Sequence, residues 1–436
     1  MTSRRAQWPL LLLLAGLLEA AFLGLRWLHP LEENLPEAVA VSLFAGIIYL
    51  LAAFLACSWR GSAHAAVVVV VLAAIVFRAT LFPLCPTLSN DLYRYQWEGR
   101  IQLTGYNPYL TTPDDPELTA LRPESFERLP GKAIPTVYAP LTELFFWLAA
   151  QFNGLRAFKL LSLLFDLGTL LLIVGLLRLR GQPAVHALLY GWCPLVVVEF
   201  AGSGHNDSLA LFYLLLANLF IIRQRAAVSI VALAAAVMSK WFAAVTVPVF
   251  LRRSRWWGAP LLAAAAAVIA LPYGAAGWNL FKGFMTYAEH WRNNASLYAL
   301  LAAATGQDAV ATGLALGIVG GLALHLAWTN TEPLRASYLL LAAVLLLSPS
   351  VFPWYVTWLA PFLCFFPNPA LLLFTVTVFL SYHVLIDFTA LGLWHYSPWL
   401  VGLEYAPIYG LLLWQQWRAR RHFKTANSCA PGRARL

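Results

Sequence analysis

Long apolar runs with few charges are the feature that most limits the folds open to this chain. Runs of about 17–25 apolar residues are long enough to cross a bilayer as helices, and they recur along most of the sequence. Only 11% of the 436 residues are charged, against about a quarter in a soluble domain. The sequence therefore predicts an all-α integral membrane protein. The predicted spans lie near 9–28, 38–57, 65–82, 157–177, 184–200, 207–222, 257–273, 308–328, 370–387 and 398–417.

Four shorter apolar pieces raise the predicted total to about 12–14 transmembrane helices in one multi-span bundle. They lie near 227–239, 241–251, 335–349 and 353–366. We predict a single transmembrane domain over 1–418, in which 83–156 forms the first large external loop. The basic segment 419–436 is predicted to be a disordered cytoplasmic tail.

The basic residues are sorted to one side of the predicted bundle. When the N-terminus is placed in the cytoplasm, seventeen of the 29 lysines and arginines fall inside, facing one acidic residue, Glu332. This distribution follows the positive-inside rule and predicts that both termini are cytoplasmic. The net charge of +9 is thus an orientation signal with some affinity for anionic membrane lipids, and no nucleic acid partner is predicted. The internal basic residues are Arg4, Arg5, Arg60, Arg178, Arg180, Arg223, Arg225, Arg252, Arg253, Arg255, Arg335, Arg418, Arg420, Arg421, Lys424, Arg433 and Arg435.

The external loop contains two stretches with helical character. Within 91–102, Tyr93, Trp97 and Ile101 recur every four residues, whereas the charged residues fall on another face. That pattern is typical of an amphipathic helix lying on the bilayer. The apolar stretch 141–152 is predicted to lie in the membrane interface.

Five segments with polar or ionisable residues are predicted to converge on the external face. Ionisable groups at membrane depth are energetically costly, which makes them functional candidates by default. The segments are Asp91 with its helix, 199–207, Lys240 with Trp241, 278–294 and 349–355.

Such a set of side chains suits the transfer of a sugar from a lipid phosphate. A carboxylate can take the proton of an acceptor hydroxyl as it attacks the anomeric carbon. Lysine or arginine can stabilise the phosphate leaving group, and aromatic faces can pack against the sugar. Direct displacement would invert the anomeric configuration.

Residues 91–100 read Asp-Leu-Tyr-Arg-Tyr-Gln-Trp-Glu-Gly-Arg, and Gly-Tyr-Asn-Pro-Tyr follows at 105–109. This pair resembles the D-x-Y-R-Y-x-W-D-G-R and G-x-N-P-Y signature of polytopic bacterial GT-C glycosyltransferases. The chain is similar to the polyprenyl-phosphate-mannose-dependent mannosyltransferases and, more distantly, to enzymes of GPI-anchor assembly. Five further segments resemble blocks of the same family and occur in the same order: 135–140, 199–207, 240–241, 287–293 and 353–355.

The resemblance implies a multi-span GT-C fold, a polyprenyl-phosphate sugar donor and a lipid or glycan acceptor. It further implies an active site on the periplasmic side of the bacterial inner (plasma) membrane, with Asp91 as the catalytic residue of the first external loop. Two positions depart from the family pattern, since Asn90 precedes Asp91 in place of a second acid and Glu98 replaces an aspartate. A hard divalent cation requires several oxygen ligands, and these two departures weaken the case for one held by paired acids. We therefore assign no metal ligand and no definite cofactor, and leave Mg²⁺ or Mn²⁺ as an open alternative.

The remaining site residues are predicted to bind substrate. Several of them have a structural alternative: a helix cap for Asp91, the start of a span for Asp207, and an interfacial aromatic belt for the tryptophans. Lys240 binds a lipid phosphate or pairs with a carboxylate such as Asp166 or Glu199. The predicted substrate-binding residues are Arg94, Tyr95, Trp97, Glu98, Arg100, Tyr138, Glu199, His205, Asn206, Asp207, Lys240, Trp241, His290, Trp291, Arg292, Asn293, Trp354 and Tyr355.

Two charged residues within the predicted spans are given structural roles. Arg78 lies one turn from the end of a span, and we expect it to snorkel to the interface. Asp166 is expected to satisfy neighbouring polar groups.

The leading hypothesis is a hexosyltransferase, with mannose as the sugar that the resemblance favours. One alternative is a secondary transporter, a class that tends to show internal repeats and midplane sites, whereas this sequence shows no evident repeat. Another is a polymerase or ligase of lipid-linked glycans. That class would be expected to use paired arginines in external loops, and Arg292 alone gives it little support.

Overall fold

The computed structural model describes residues 4–152, 154–255 and 257–428. Within these ranges the regular structure is helical, and the one β contact is an isolated parallel bridge between Asn293 and Ser350. The predicted all-α, multi-span membrane fold is confirmed.

The N-terminal third consists of three long helices, a loop region that contains two shorter helices, and a further long helix. Two short 3-10 segments, Pro116–Leu121 and Glu124–Arg128, lie in the loop region. The helices are α1 (Arg4–Trp27), α2 (Leu35–Cys57), α3 (Ala63–Leu81), α4 (Asp91–Leu103), α5 (Pro140–Ala150) and α6 (Leu155–Leu179).

The middle third is built from shorter, broken helices. Its 3-10 segments are Ala184–Ala187 and Trp241–Thr246, and Val197–Gly202 is a π-helix. The helices are α7 (Leu188–Gly191), α8 (Pro194–Val196), α9 (Asp207–Ile222), α10 (Ala226–Ser239), α11 (Val247–Ser254) and α12 (Gly258–Ala270).

The C-terminal third combines short helices with two long ones, α15 and α21, and has 3-10 segments at Leu271–Phe281 and Val378–His383. The last helix extends through 419–428 of the predicted tail, and 429–436 lie outside the described residues. The helices are α13 (Lys282–His290), α14 (Leu297–Thr305), α15 (Asp308–Trp328), α16 (Pro333–Leu347), α17 (Pro353–Val356), α18 (Ala360–Leu363), α19 (Pro369–Thr377), α20 (Val384–Leu391) and α21 (Pro398–Ser428).

Seven helical stretches of the described chain have the length and apolar composition of a membrane span. The pair Ala184–Gly191 and Pro194–Gly202, bent by 55°, makes an eighth if it is one span. Four shorter helices are also apolar: α5, α9, α10 and α16. Many large apolar side chains on the outer helices are exposed, Phe54 and Leu316 among them, as expected where a helix faces lipid.

The apolar face of α4 packs against protein, which corrects the prediction that it lies on the bilayer. Tyr93, Trp97 and Ile101 are buried in a small cluster with Leu118 and Phe126 from the loop that follows. The four-residue spacing correctly indicated one buried face, but the periodicity alone does not distinguish lipid from a covering loop.

Helix α4 also approaches α5 very closely, and Gly99 makes this approach possible. A Cβ atom at this position would lie 2.4 Å from the backbone oxygen of Phe146, so no larger residue fits without displacing α5. Helix α5 is in turn fixed to the end of α10, because the Thr142 hydroxyl donates to the carbonyl of Ser239 at 2.6 Å. These contacts hold the N-terminus of α4 in a defined place relative to Lys240.

Arg78 does not snorkel, because the protein itself satisfies its charge. Its Nε and Nη2 atoms donate to the two carboxylate oxygens of Asp166 at 2.5 and 3.0 Å, and Nη1 donates to the carbonyls of Ala74 and Gly191. The hydroxyl of Tyr190 donates to Asp166 at 2.7 Å, as expected for a carboxylate that satisfies its polar neighbours. We refer to Arg78, Asp166 and Tyr190 as the Arg78 cluster. It ties α3, α6 and α7 together in the interior.

Candidate active site

Asp91 is the first residue of α4, at the point where the chain enters that helix. The cap residue before it, Asn90, makes no side-chain capping bond, and the Asp91 amide donates to the Ser89 hydroxyl at 3.2 Å. The Asp91 side chain remains 27% exposed, and the positive end of the helix dipole favours its negative charge. The carboxylate therefore projects into a partly open space.

A break in the next polar segment brings His205 to Asp91. The π-helix Val197–Gly202 is followed two residues later by Gly204, whose φ of +78° favours glycine and whose Cβ would lie 2.8 Å from the Lys159 side chain. The chain then turns so that His205 Nε2 lies 3.8 Å from Asp91 Oδ2.

The other contacts of the His205 ring define its surroundings. Nε2 lies 3.2 Å from the Ser89 hydroxyl, and Nδ1 lies 3.0 Å from Glu199 Oε2. The ring stacks on Trp354 with centroids 4.1 Å apart, and Trp354 stacks on Phe352 at 4.5 Å. His205 is thus held between two carboxylates and one aromatic face.

Lys240 has an extended backbone conformation and lies between α10 and the 3-10 helix Trp241–Thr246, where the helical hydrogen bonding is interrupted. Its Nζ lies 2.6 Å from Asp207 Oδ2, so Lys240 pairs with neither of the two predicted carboxylates. The ammonium also lies 5.4 Å from the ring centre of Tyr355. Its side chain is 20% exposed, so the lysine is not completely buried.

The charges of these groups act on Asp91. Burial raises the pKa of the Asp91 carboxyl above its ordinary value, the positive charges of His205 and Lys240 oppose that rise, and Asp207 adds to it. The pocket therefore holds a carboxylate whose ionisation depends on its neighbours. We refer to Asp91, His205, Asp207 and Lys240 as the Asp91 pocket.

A chain of hydroxyl and amide groups forms one edge of this pocket. Tyr355 and Tyr287 share a hydrogen bond of 2.9 Å between their hydroxyls, and the Tyr287 hydroxyl lies 3.2 Å from that of Ser350. Asn293 donates to Ser350 at 3.0 Å and accepts from Trp394 at 2.7 Å. The structure thus brings Tyr355 and Asn293 into one network beside Lys240.

Asn206 is the least satisfied polar residue here. It is 2% exposed, and neither its amide nitrogen nor its carbonyl oxygen has a protein partner. Buried polar groups are normally paired, so the unpaired amide of Asn206, the residue after His205, is a candidate for contact with a ligand.

Two predicted aromatic residues line the wall behind Asp91. Tyr95 lies one helical turn beyond it and contacts Tyr138 with ring centroids 5.2 Å apart. Burial raises the pKa of both phenols, and the Asp91 charge raises it further. Trp241 faces away from this wall and packs on Phe281, with its indole nitrogen buried and without a partner.

Three predicted residues of α4 belong to the scaffold. Arg94 donates to Glu98 and to the carbonyls of Gly131 and Ile134, the latter two at 2.6 and 3.0 Å. Burial raises the pKa of Glu98, which Arg94 opposes. Trp97 is 1% exposed in the cluster described above. These side chains fix the loop that covers α4, and they have little surface to offer a ligand.

The structure does not bring the other predicted residues into the Asp91 pocket. Arg100 and His290 are exposed, and His290 contacts its own helix at Thr286. Arg292 turns towards Asp308 at 3.3 Å, and Trp291 stacks on Tyr287 at 5.2 Å.

Two residues that the sequence did not single out hold the acidic groups. Trp358 Nε1 donates to Asp207 at 2.6 Å, and the Tyr382 hydroxyl donates to Glu199 at 2.6 Å. Both lie in apolar segments, where an aromatic residue with a polar edge has no distinct signal. Over the described residues, no group of three or more His, Cys, Asp or Glu side chains has an arrangement suited to a metal ion.

Comparison with known families gives one match. A family model described as alpha-(1->6)-mannopyranosyltransferase, N-terminal domain, matches residues 11–254. This stretch is more than half of the 436 residues and includes the whole Asp91 pocket. Comparison with curated proteins and with solved structures returns no match.

Proposed function

The chain belongs to the alpha-(1->6)-mannopyranosyltransferase N-terminal domain family, and from this premise we propose that it moves mannose from a polyprenyl-phosphate donor to a lipid-linked or cell-envelope glycan. Membership supports alpha-mannosyltransferase activity and with it a sugar donor and a glycan acceptor. The observation that carries the proposal is the half-buried Asp91, which shares a pocket with His205 and Lys240.

Asp91 acts as the general base. The acceptor oxygen attacks the anomeric carbon, its proton passes to an Asp91 oxygen, and the bond from that carbon to the phosphate oxygen breaks. The bonding electron pair leaves with the phosphate. The remaining exposure of Asp91 supports this role, because an acceptor hydroxyl has to reach the carboxylate.

Lys240 receives the phosphate. An ammonium has three donors, and only one direction is taken by Asp207, so Lys240 can contact a phosphate oxygen while keeping this ion pair. The developing negative charge on the leaving group is then stabilised where it forms. Arg94 has no such capacity, because the backbone of the covering loop and Glu98 occupy its donors.

The sugar lies among aromatic and amide groups. The ring of Trp354 is stacked on His205 and Phe352, and Tyr355 is stacked on Trp358, so these residues meet the sugar with their edges. The amides of Asn206 and Asn293 bind its hydroxyls. We assign the walls of the sugar subsite to these residues together with Tyr138.

The stereochemistry follows from direct displacement. One in-line attack inverts the anomeric carbon, so an alpha-linked product requires a beta-linked mannosyl phosphate. We accordingly propose that the enzyme discriminates between the two donor anomers.

We place the pocket at the outer face of the bacterial inner membrane, with both termini in the cytoplasm. The sorting of basic residues supports this orientation. The exposed apolar side chains of the outer helices would contact membrane lipids. The lipid-linked donor would reach the pocket by lateral diffusion in the same bilayer.

The test uses the purified full chain in lipid nanodiscs with labelled polyprenyl-phosphate mannose as the alpha or the beta anomer, and an alpha-mannoside acceptor. We expect transfer from the beta anomer alone and a product that a linkage-specific alpha-(1->6)-mannosidase digests. Transfer from neither anomer by folded, donor-loaded protein contradicts the proposal. Uptake of free mannose into vesicles would favour a transporter instead.

A further inference from the structure

Glu199 is the buried acid beside the pocket that the reaction described above does not use. We propose that Glu199 is a positioning residue that holds His205 as an imidazolium, and that this imidazolium keeps Asp91 ionised when substrates fill the pocket. This inference rests on the proposed role of Asp91 as the base. It assigns Glu199 and His205 to the ionisation of Asp91 and away from substrate contact.

The surroundings of Glu199 call for a cation. The side chain is 0% exposed, and its Oε1 accepts a hydrogen bond of 2.6 Å from the Tyr382 hydroxyl. A single neutral donor offsets only part of the desolvation of a buried carboxylate, so a positive partner is needed for its charge. His205 Nδ1 lies 3.0 Å from Oε2, an ion-pair distance, and neither of these two buried atoms has a hydrogen-bond partner among the described residues, so their contact depends on charge.

The contacts of His205 suit the charged form of its ring. Nδ1 faces Glu199 and Nε2 faces Asp91 at 3.8 Å, so the imidazolium has a carboxylate at each nitrogen. The ring face lies on Trp354 with centroids 4.1 Å apart, an arrangement in which an aromatic quadrupole attracts a cation. The Ser89 hydroxyl, 3.2 Å from Nε2, can accept from the same ring.

Backbone geometry links the two residues directly. The His205 amide donates to the carbonyl of Glu199 at 2.9 Å across the end of the π-helix, and Ser203 donates to Val198 at 2.8 Å. These wide turns place two side chains six positions apart next to each other, which a regular α-helix does not do. The break in the helix therefore builds the Glu199–His205 contact as well as the turn at Gly204.

The other cations near Asp91, Lys240 and Arg94, are bound to acids of their own, Asp207 and Glu98. Burial already raises the pKa of Asp91, and Asp207 raises it further, while His205, Lys240 and Arg94 oppose the rise. Lys240 is also assigned to the phosphate. Bound substrates remove more water from the carboxylate, which makes the charge of His205 the one that remains for Asp91.

The test is the dependence of kcat on pH at saturating donor, since kcat reports the groups of the substrate-bound enzyme. In Glu199→Gln, His205 loses the carboxylate that stabilises its charge, and Asp91 then needs a higher pH to ionise. We expect the acid limb of the profile to move to higher pH by about one unit, a tenfold loss of rate at a fixed pH on that limb. At pH values above the limb the rate should recover, and the donor KM should stay within about twofold.

A double-mutant cycle separates this role from a general loss of structure. His205→Gln should move the limb in the same direction, and adding Glu199→Gln to it should cause no further movement, because Glu199 acts through His205. Tyr382→Phe removes one hydroxyl from Glu199 and gives a milder variant, with a smaller shift of the same sign, should Glu199→Gln fail to fold.

The matched control is Glu404→Gln, which alters a buried carboxylate outside the pocket, bound to Asn294 at 2.9 Å. Its acid limb should coincide with that of the wild type. An unmoved limb in Glu199→Gln, or an equal further shift in the His205→Gln background, overturns the inference. If the wild type transfers mannose, Asp91→Asn does not, and the acid limb of Glu199→Gln is unmoved, only the role of Glu199 is removed and the proposed function stands.

Discussion

The Arg78 cluster and the Asp91 pocket are both built from acidic and basic side chains in an apolar protein, and they differ in how completely their polar atoms are paired. Every guanidinium nitrogen of Arg78 donates to an acceptor, and both oxygens of Asp166 accept. In the pocket, Asp91 and Lys240 keep 27% and 20% exposure, and neither polar atom of Asn206 has a protein partner.

This difference shows which buried charges can act on a ligand. A saturated ion pair stabilises the fold only as a unit, since its members have no free donor or acceptor and removing one leaves the other uncompensated. An unsaturated group is available to a ligand and carries an energetic penalty until the ligand arrives. We therefore propose that the Arg78 cluster is structural and that the Asp91 pocket carries the chemistry.

The largest expected effect comes from Asp91→Asn. Asparagine keeps the size of the side chain and cannot accept a proton, so turnover should fall by a factor on the order of 10²–10⁴. Thermal stability should be equal or slightly higher, because burial raises the pKa of Asp91 and its ionised form therefore disfavours folding. Steady-state transfer and melting temperature in detergent are the measurements.

Wild-type turnover should fall as the pH drops through the raised pKa of Asp91, because the protonated carboxyl cannot act as the base. The Asn variant should lack this limb in its residual activity. If the variant is as fast as the wild type with donor binding verified, Asp91 is not the base, and unsaturation is then a poor guide to reactivity in this protein.

Asp166→Asn should show the opposite signature. It leaves the guanidinium of Arg78, 1% exposed, without a counter-charge, which should lower the free energy of unfolding by about 3–5 kcal/mol. The folded fraction should keep its turnover. The double variant Arg78→Met with Asp166→Leu removes both charges and should recover much of the stability. A single variant that is stable but inactive would move the Arg78 cluster into the reaction and remove the distinction between the two regions.

Much of the fold could be predicted from the sequence, because the membrane-spanning helices are long and apolar. The π-helix and the turn at Gly204 could not be predicted from the sequence, and the space for a Cβ atom at Gly204 is taken by Lys159 of another helix. The polar segments at the helix ends could be identified from the sequence, because charged residues such as Asp91 and Lys240 are rare in so apolar a chain.

Pair partners were beyond the sequence. Arg78 was expected at the interface, and its distance from a span end favoured that expectation, but the acceptors of its charge are supplied by α6 and α7. Lys240 pairs with Asp207 and with neither carboxylate proposed for it. Which face of α4 meets a covering loop was likewise set by tertiary contacts that no periodicity encodes.

Lys240→Met should mainly weaken donor binding. A hydrogen bond to a charged group is worth about 1.5–3 kcal/mol, so the donor dissociation constant should rise by roughly 10–100-fold. Lys240→Arg keeps the charge and should lose much less. Because Asp207 loses its partner in the Met variant, the double variant with Asp207→Asn is the matched control for stability. Unchanged donor affinity in a folded Met variant would mean that the lysine serves Asp207 alone, as Arg78 serves Asp166.

Arg292→Gln should have the smallest effect. Its partner Asp308 is 60% exposed, its own side chain is 31% exposed, and ion pairs in such positions contribute about 0–1 kcal/mol. Stability should therefore change by less than about 1 kcal/mol, and turnover and both KM values should stay near those of the wild type. A tenfold rise in the acceptor KM alone would give Arg292 a place in acceptor recognition. The polar surface that serves the reaction would then extend from the Asp91 pocket to the end of α13. In that case exposed, weakly paired charges would indicate function in this protein as well as buried, unpaired ones.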